Sequence, residues 1–148
     1  MYGVLLSRLA AAISKRNPKL GNALRPGMPE ARVRRTLEKS GATGSVDPVV
    51  AFFSWKDGTR TDVGLTREQV SVFPKHYYIF LEFNTMLGHF RDYEEYASYY
   101  SRLKKIAGRY FPILWDGSNR HIAVDFDASS KSKIAIIDTQ ANDPVREA

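Results

Sequence analysis

The fold is decided by residues 109–127, which read RYFPILWDGSNRHIAVDFD. Apolar side chains recur at every second position on both sides of a polar turn, Asp116-Gly117-Ser118-Asn119. A period of two around an Asp-Gly turn predicts two paired β-strands. A second polar turn, residues 128–131, leads into a third apolar run, residues 133–138. We therefore predict a three-stranded antiparallel meander with aspartates at its turns, followed by a poorly ordered tail from Thr139.

Apolar residues at helical spacing predict helices over residues 4–16, 29–40 and 47–56. Pro29 suits the first turn of the second helix, and Gly41 would stop it. In the third helix Asp47 is the predicted N-cap and Pro48 the first helical residue. This helix is apolar almost all round, so it is expected to lie deep in the structure.

A fourth helix is predicted from Asp92, which forms a capping box with Glu95, to Gly108. Its helical stripe is expected to be buried, and the stripe consists of Tyr93, Tyr96, Ala97, Tyr100, Leu103 and Ala107. Tyr99 lies beside the stripe and is expected to be exposed, and Arg102, Lys104 and Lys105 would suit the dipole of the last turns. Before this helix, residues 77–83 predict a strand, and the polar residues up to about 71 predict a loop. An alternative for the residues from Asn84 onward is that they are already helical.

The chain has 148 residues, enough for a single domain, and no apolar run long enough to span a bilayer. It has no cysteine, and Arg8 interrupts its apolar N-terminal stretch, so we expect a cytoplasmic protein without a signal peptide. Net charge is +6, but residues 1–40 hold nine Lys/Arg against two Glu, and the remaining residues sum to −1. We divide the chain into a basic amphipathic helix and linker, residues 1–27, and an α+β domain, residues 28–148.

Clustered carboxylates on the meander raise the question of a metal site or a hydrolase, namely Asp116, Asp125, Asp127 and Asp138. Alternation places His121, Asp125 and Asp127 on one strand face. Aspartates at turns and strand ends more often cap backbone amides, and we favour that interpretation. The histidines lack metal-ligand spacing, and no phosphate loop or nucleophile motif is present in the sequence. We predict no catalytic residue, no metal and no cofactor.

Four local motifs follow one another in a recognisable order, and they are Leu37-Glu38-Lys39-Ser40-Gly41, Trp55-Lys56-Asp57-Gly58, Phe111-Pro112-Ile113-Leu114-Trp115-Asp116-Gly117 and Ile122-Ala123-Val124-Asp125-Phe126-Asp127. This order resembles the SUKH superfamily over about residues 28–138. The resemblance implies an α+β fold, with helices packed on a curved antiparallel sheet that usually continues past the third strand. It also implies protein binding without a shared active site, because many bacterial members are immunity proteins that neutralise a toxin.

Our first hypothesis is therefore a cytoplasmic immunity-type module of a polymorphic toxin system, whose partner is a bacterial toxin domain. Turns and the strands that follow them are expected to be exposed, which gives the predicted partner-binding residues Trp55, Asp57, Trp115, Asp116, Arg120 and Asp125. For Trp55 and Trp115, a place in the hydrophobic core is an equally good interpretation as a place in the partner-binding surface. The alternative is a nucleic-acid or anionic-surface binder that uses the basic N-terminal segment and the basic helix face formed by Arg32, Arg34, Arg35 and Lys39.

Overall fold

A computed structural model describes residues 11, 24–59, 71–73, 76–127 and 134–147. Within these residues the fold is α+β, with two antiparallel sheets and three α-helices whose two ends are both described. The helices are α1 (Glu30–Lys39), α2 (Asp47–Trp55) and α3 (Phe83–Tyr99), and a 3-10 turn follows at Ser101–Leu103. The strands are β1 (Leu24–Pro26), β2 (Lys56–Thr59), β3 (Ser71–Phe73), β4 (His76–Ile79), β5 (Tyr110–Trp115), β6 (Arg120–Asp125), β7 (Ile134–Asp138) and β8 (Val145–Glu147).

The larger sheet has six strands in the order β3-β4-β5-β6-β7-β8, each antiparallel to its neighbours. Strands β5, β6 and β7 are the predicted meander, which is confirmed. An irregularity between Pro112 and Leu114 shifts the β5–β6 register, so that Trp115 lies opposite His121. Strands β1 and β2 form a separate two-stranded sheet. Residues 24–26, which the sequence assigns to a linker, therefore belong to the folded body.

Two apolar clusters cover both faces of the central strands. The larger cluster joins α1, α2 and the first half of α3 to side chains such as Phe111 and Val124. The smaller cluster joins the second half of α3 to Ala123, Ala135 and Ile137. Because both faces of β6 are buried from His121 to Asp125, the polar face predicted for this strand is an interior surface. The expectation that α2 lies deep in the structure is confirmed, since most of its side chains are buried.

Helix α3 begins at Phe83, nine residues before the capping box predicted at Asp92 and one residue before the alternative start at Asn84. Phe83, Met86, Leu87 and Phe90 are all buried and extend the apolar stripe towards the N-terminus, so Asp92 lies within the helix and caps nothing. The predicted strand over residues 77–83 correspondingly ends at Ile79. The helix also ends earlier than predicted, at Tyr99, and the cations that we expected in its last turns follow it instead.

Residues 139–147 are ordered, contrary to the poorly ordered tail that we expected from Thr139. Residues 145–147 form β8, in which Arg146 pairs with Ile136 of β7. Arg102 holds the intervening turn by donating to the carbonyl oxygens of Thr139 at 2.7 Å and Ala141 at 3.2 Å. Long-range pairing of this kind is invisible to local turn chemistry.

Helix α2 also differs from the prediction at its first residue. Val46 is the N-cap and Asp47 is already helical, so Asp47 does not cap the helix with its side chain. Its carboxylate instead accepts a hydrogen bond from Arg34 of α1 at 2.6 Å. Residues 4–16, predicted as a helix, and most of the predicted loop to residue 71 lie outside the described residues. None of the described helices has the length and apolarity that a bilayer crossing requires.

Candidate functional site

A cleft of about 600 Å³ lies between the second half of α3, the β5–β6 turn and the turn after β7. Its lining includes His89 and Tyr96 of α3, Tyr100 directly after that helix, Trp115 of β5, and Gln140 in the turn after β7. We call it the histidine cleft. Its volume lies within the range of small-ligand sites, about 300 to 1,000 Å³.

Three side chains form a hydrogen-bonded chain at the base of the cleft. The Tyr93 hydroxyl lies 2.7 Å from His121 Nδ1, and His121 Nε2 lies 2.8 Å from His89 Nδ1. Tyr93 is 1% exposed, so its hydroxyl proton needs a partner, and among the described residues that partner is His121. Tyr93 therefore donates to His121, His121 donates to His89, and the proton of His89 is left on Nε2.

Burial keeps this chain electrically neutral. Removal from water, together with the smaller effect of the neighbouring His89, lowers the pKa of His121 to about 3. Burial also lowers the pKa of His89, against the opposing effect of Asp92, and it raises the pKa of the Tyr93 hydroxyl well above its ordinary value. At neutral pH the cleft thus presents a fixed imidazole N–H donor and no imidazolium charge.

Exposed tyrosines flank the cleft. Among the described residues the large hydrophobic side chains that face solvent are Tyr96, Tyr99 and Tyr100, which are 41%, 75% and 54% exposed. We call these three the tyrosine patch. The exposure of Tyr99 is confirmed, but the predicted burial of Tyr96 and Tyr100 is wrong. Because α3 ends at Tyr99, the helical stripe does not continue through Tyr100, and Tyr96 lines the cleft.

Three of the six predicted partner-binding residues come together at the β5–β6 turn. Asp116 Oδ1 accepts hydrogen bonds from the backbone N–H groups of Ser118 at 2.8 Å and Arg120 at 3.1 Å. The Trp115 indole donates to the carbonyl oxygen of Ser118 at 2.9 Å. Asp116 therefore shapes the turn, Trp115 lines the histidine cleft, and the Arg120 side chain is 48% exposed.

Two of the other three predicted residues, Trp55 and Asp57, lie outside the lining of the histidine cleft. Trp55 is half-buried, with its ring nearly parallel to that of Phe80 at 6.3 Å. Asp57 Oδ1 accepts from the backbone N–H of Phe83 at 2.7 Å and thereby caps α3. This close approach needs Gly58, whose φ is +78° and where a Cβ atom would lie 2.4 Å from the backbone nitrogen of Glu82.

Replacing Asp57 with alanine is expected to lower the free energy of unfolding by about 1 kcal/mol, because it leaves the first amide of α3, that of Phe83, without a side-chain acceptor. Urea denaturation followed by circular dichroism measures the change. Asp57→Asn, which keeps an acceptor oxygen, is the matched control and should lose less. Equal losses in the two variants would contradict a capping role.

Asp125 is 3% exposed, so its expected exposure is wrong. Its two carboxylate oxygens each accept from Arg109, at 3.1 Å, and one also accepts from the backbone N–H of Asp127. At the other end of β6, Asp138 pairs with Arg120. The four aspartates thus lie in two separate groups around two arginines, and the described part of the chain contains no group of three metal-ligating side chains.

The sequence interpretation missed His89 and Tyr93 as site residues. His89, Tyr93 and Tyr96 are spaced four and three residues apart, which places them on one face of a helix that begins at Phe83. Recognising the earlier start of α3 would have revealed this face.

A search against protein-family models finds no match to the chain, and a search of curated proteins finds none that is significantly similar.

Proposed function

We propose that the protein is a cytoplasmic protein-binding module of the SUKH immunity type, which neutralises a cognate bacterial toxin by direct binding. The observation that carries the proposal is the tyrosine patch, three exposed aromatic side chains beside an open cleft. The order of sequence motifs and the α+β fold with its antiparallel sheet support the choice of family.

Tyrosine is favoured at protein interfaces because its ring is large, has few rotamers and carries one polar atom. Tyr99 is the most exposed of the three and lies outside the lining of the cleft. Burial of such rings at the centre of an interface supplies a large share of the binding energy.

The aspartates support binding rather than hydrolysis. Asp116 is occupied by two backbone amides, and Asp125 by Arg109 and a backbone amide. Both carboxylates therefore fix local backbone geometry, as aspartates at turns commonly do.

The proposal is tested by co-expressing the chain with the toxin domain encoded by the neighbouring open reading frame. We expect the chain to restore colony growth and to bind the purified, catalytically inactivated toxin domain in calorimetry. A toxin that kills equally well with and without the chain, and that shows no heat of binding, would contradict the proposal.

Tyr99→Ser is expected to weaken toxin binding by about tenfold or more, since it removes the most exposed ring of the patch. The control is Arg35→Ser, an exposed residue of α1, which should leave the affinity unchanged. Calorimetry at low and high salt separates the alternative function. Suppose instead that Arg35→Ser weakens binding, that Tyr99→Ser does not, and that the affinity falls steeply with salt. The binding site is then the basic helix face of α1.

A further inference from the structure

The histidine cleft contains a preformed aromatic wall. The Trp115 ring packs against the His89 ring at 4.7 Å with an interplanar angle of 71°, and it lies nearly parallel to His121 at 6.4 Å. Its indole N–H is bound to Ser118, so the ring is held in one orientation. Tyr96 and Tyr100, both more than 40% exposed, line the same cleft. Aromatic faces arranged in this way are suited to stacking with a flat ring.

A polar edge lies beside this wall. His89 and Asp92 are three residues apart on α3 and therefore point to the same side of the helix. Neither His89 Nε2 nor the Asp92 carboxylate has a hydrogen-bond partner among the described residues. The proton on His89 Nε2 is a donor and the Asp92 carboxylate is an acceptor. The cleft thus offers one donor and one acceptor side by side.

The charge of the cleft favours a neutral ligand ring. Burial keeps both histidines uncharged, and the two ionised residues in the lining, Asp92 and Arg102, have opposite signs. Arg102 already donates to two backbone carbonyls and lies 4.9 Å from the centre of the Tyr100 ring. Its hydrogen-bonding capacity is therefore partly used within the protein.

We propose that the histidine cleft binds a nucleobase, stacked on the aromatic rings of Trp115 and Tyr100 and hydrogen-bonded along its edge by His89 and Asp92. A nucleobase is flat, uncharged and carries donors and acceptors in a row, which matches the wall and the edge. The base is carried either by a free nucleotide or by a single strand of nucleic acid. This inference does not depend on toxin binding.

Proton–nitrogen NMR of the full chain tests the proposal, with the common nucleoside 5′-monophosphates as probes at millimolar concentration. We expect the indole N–H resonance of Trp115 to shift on titration, while that of Trp55, which packs on Phe80 away from the cleft, stays in place. Ribose 5-phosphate, which has no base, should not shift Trp115. An equal response to ribose 5-phosphate, or no shift with any nucleotide, would overturn the proposal.

Two matched pairs of variants locate the base. Asp92→Asn is expected to weaken the preferred nucleotide by about tenfold, whereas Glu95→Gln, which removes the same charge from an exposed position on α3 outside the lining, should have little effect. Tyr100→Ser should weaken binding, and Tyr99→Ser should not. If Asp92→Asn and Glu95→Gln behave alike, the base does not occupy this edge.

A further titration, with a short single strand in place of the mononucleotide, identifies the source of the base. A short single strand that binds much more tightly than the mononucleotide, with a steep loss of affinity in salt, indicates nucleic acid. Equal affinities indicate a free nucleotide. Because Tyr99→Ser is expected to affect toxin binding alone and Asp92→Asn base binding, failure of one proposal is distinguishable from failure of the other.

Discussion

Replacing Phe53 with alanine is expected to lower the free energy of unfolding by about 4 kcal/mol, the typical loss for a large aromatic side chain removed from a packed core. Phe53 is fully buried, and its ring centroid lies 5.2 to 6.0 Å from those of Phe52, Phe80, Phe83 and Phe111. It therefore joins α2 to α3 and to β5. A loss of this size is a large fraction of the stability of an ordinary domain.

Urea denaturation followed by tryptophan fluorescence measures the Phe53→Ala effect. The control is Ala51→Ser on the same helix, whose side chain is exposed and which should change stability by less than about 0.5 kcal/mol. If Phe53→Ala costs no more than this control, Phe53 does not lie at the centre of the core.

Acidification from pH 7 to pH 5 is expected to destabilise the protein by about 2 kcal/mol through His121. The folded protein lowers the pKa of His121 to about 3, below its ordinary value of 6.5. Between these values the unfolded chain binds the proton and the folded chain does not. The stabilisation is therefore complete above the unfolded pKa and is lost as the pH falls below it. His89 acts in the same direction, because burial lowers its pKa too.

Urea midpoints measured at pH 5, 6 and 7 test the role of His121. Asp138 and Asp143, whose pKa values are lowered from 3.8, lose their contributions only at still lower pH. His121→Gln cannot titrate at this position, so its pH dependence should be shallower than that of the parent chain. An unchanged slope in His121→Gln would show that other groups cause the acid destabilisation.

The β5–β6–β7 meander was predictable because its signals are local. Alternation around Asp116-Gly117 and the apolar run at residues 134–137 determine strands and turns over a few residues each, and both are present in the structure. Helix α1 was predictable for the same reason, since Val33 and Leu37 are its two buried residues. The sequence left the start of α3 open between Asn84 and Asp92, because the residue that caps the helix is Asp57, 26 positions away in the chain.

The candidate site was only partly predictable. Trp115, Asp116 and Arg120 lie near one another because one turn contains them all. The burial of Asp125 and the exposure of Tyr96 and Tyr100 depend on which elements pack over β6 and α3, and no local pattern contains that information. The chain Tyr93–His121–His89 joins residues 28 and 32 positions apart, so it becomes visible only when α3 is docked on the sheet.

The amino-acid sequence alone determined the α+β class, the central meander and the turn aspartates, because period-two alternation and Asp-Gly turns act within a few residues. The tertiary structure decided the limits of α3, the pairing of β8 with β7, and the neutral histidine chain at the base of the cleft. These features depend on contacts between residues distant in the chain, where burial and cross-element hydrogen bonds outweigh local propensity.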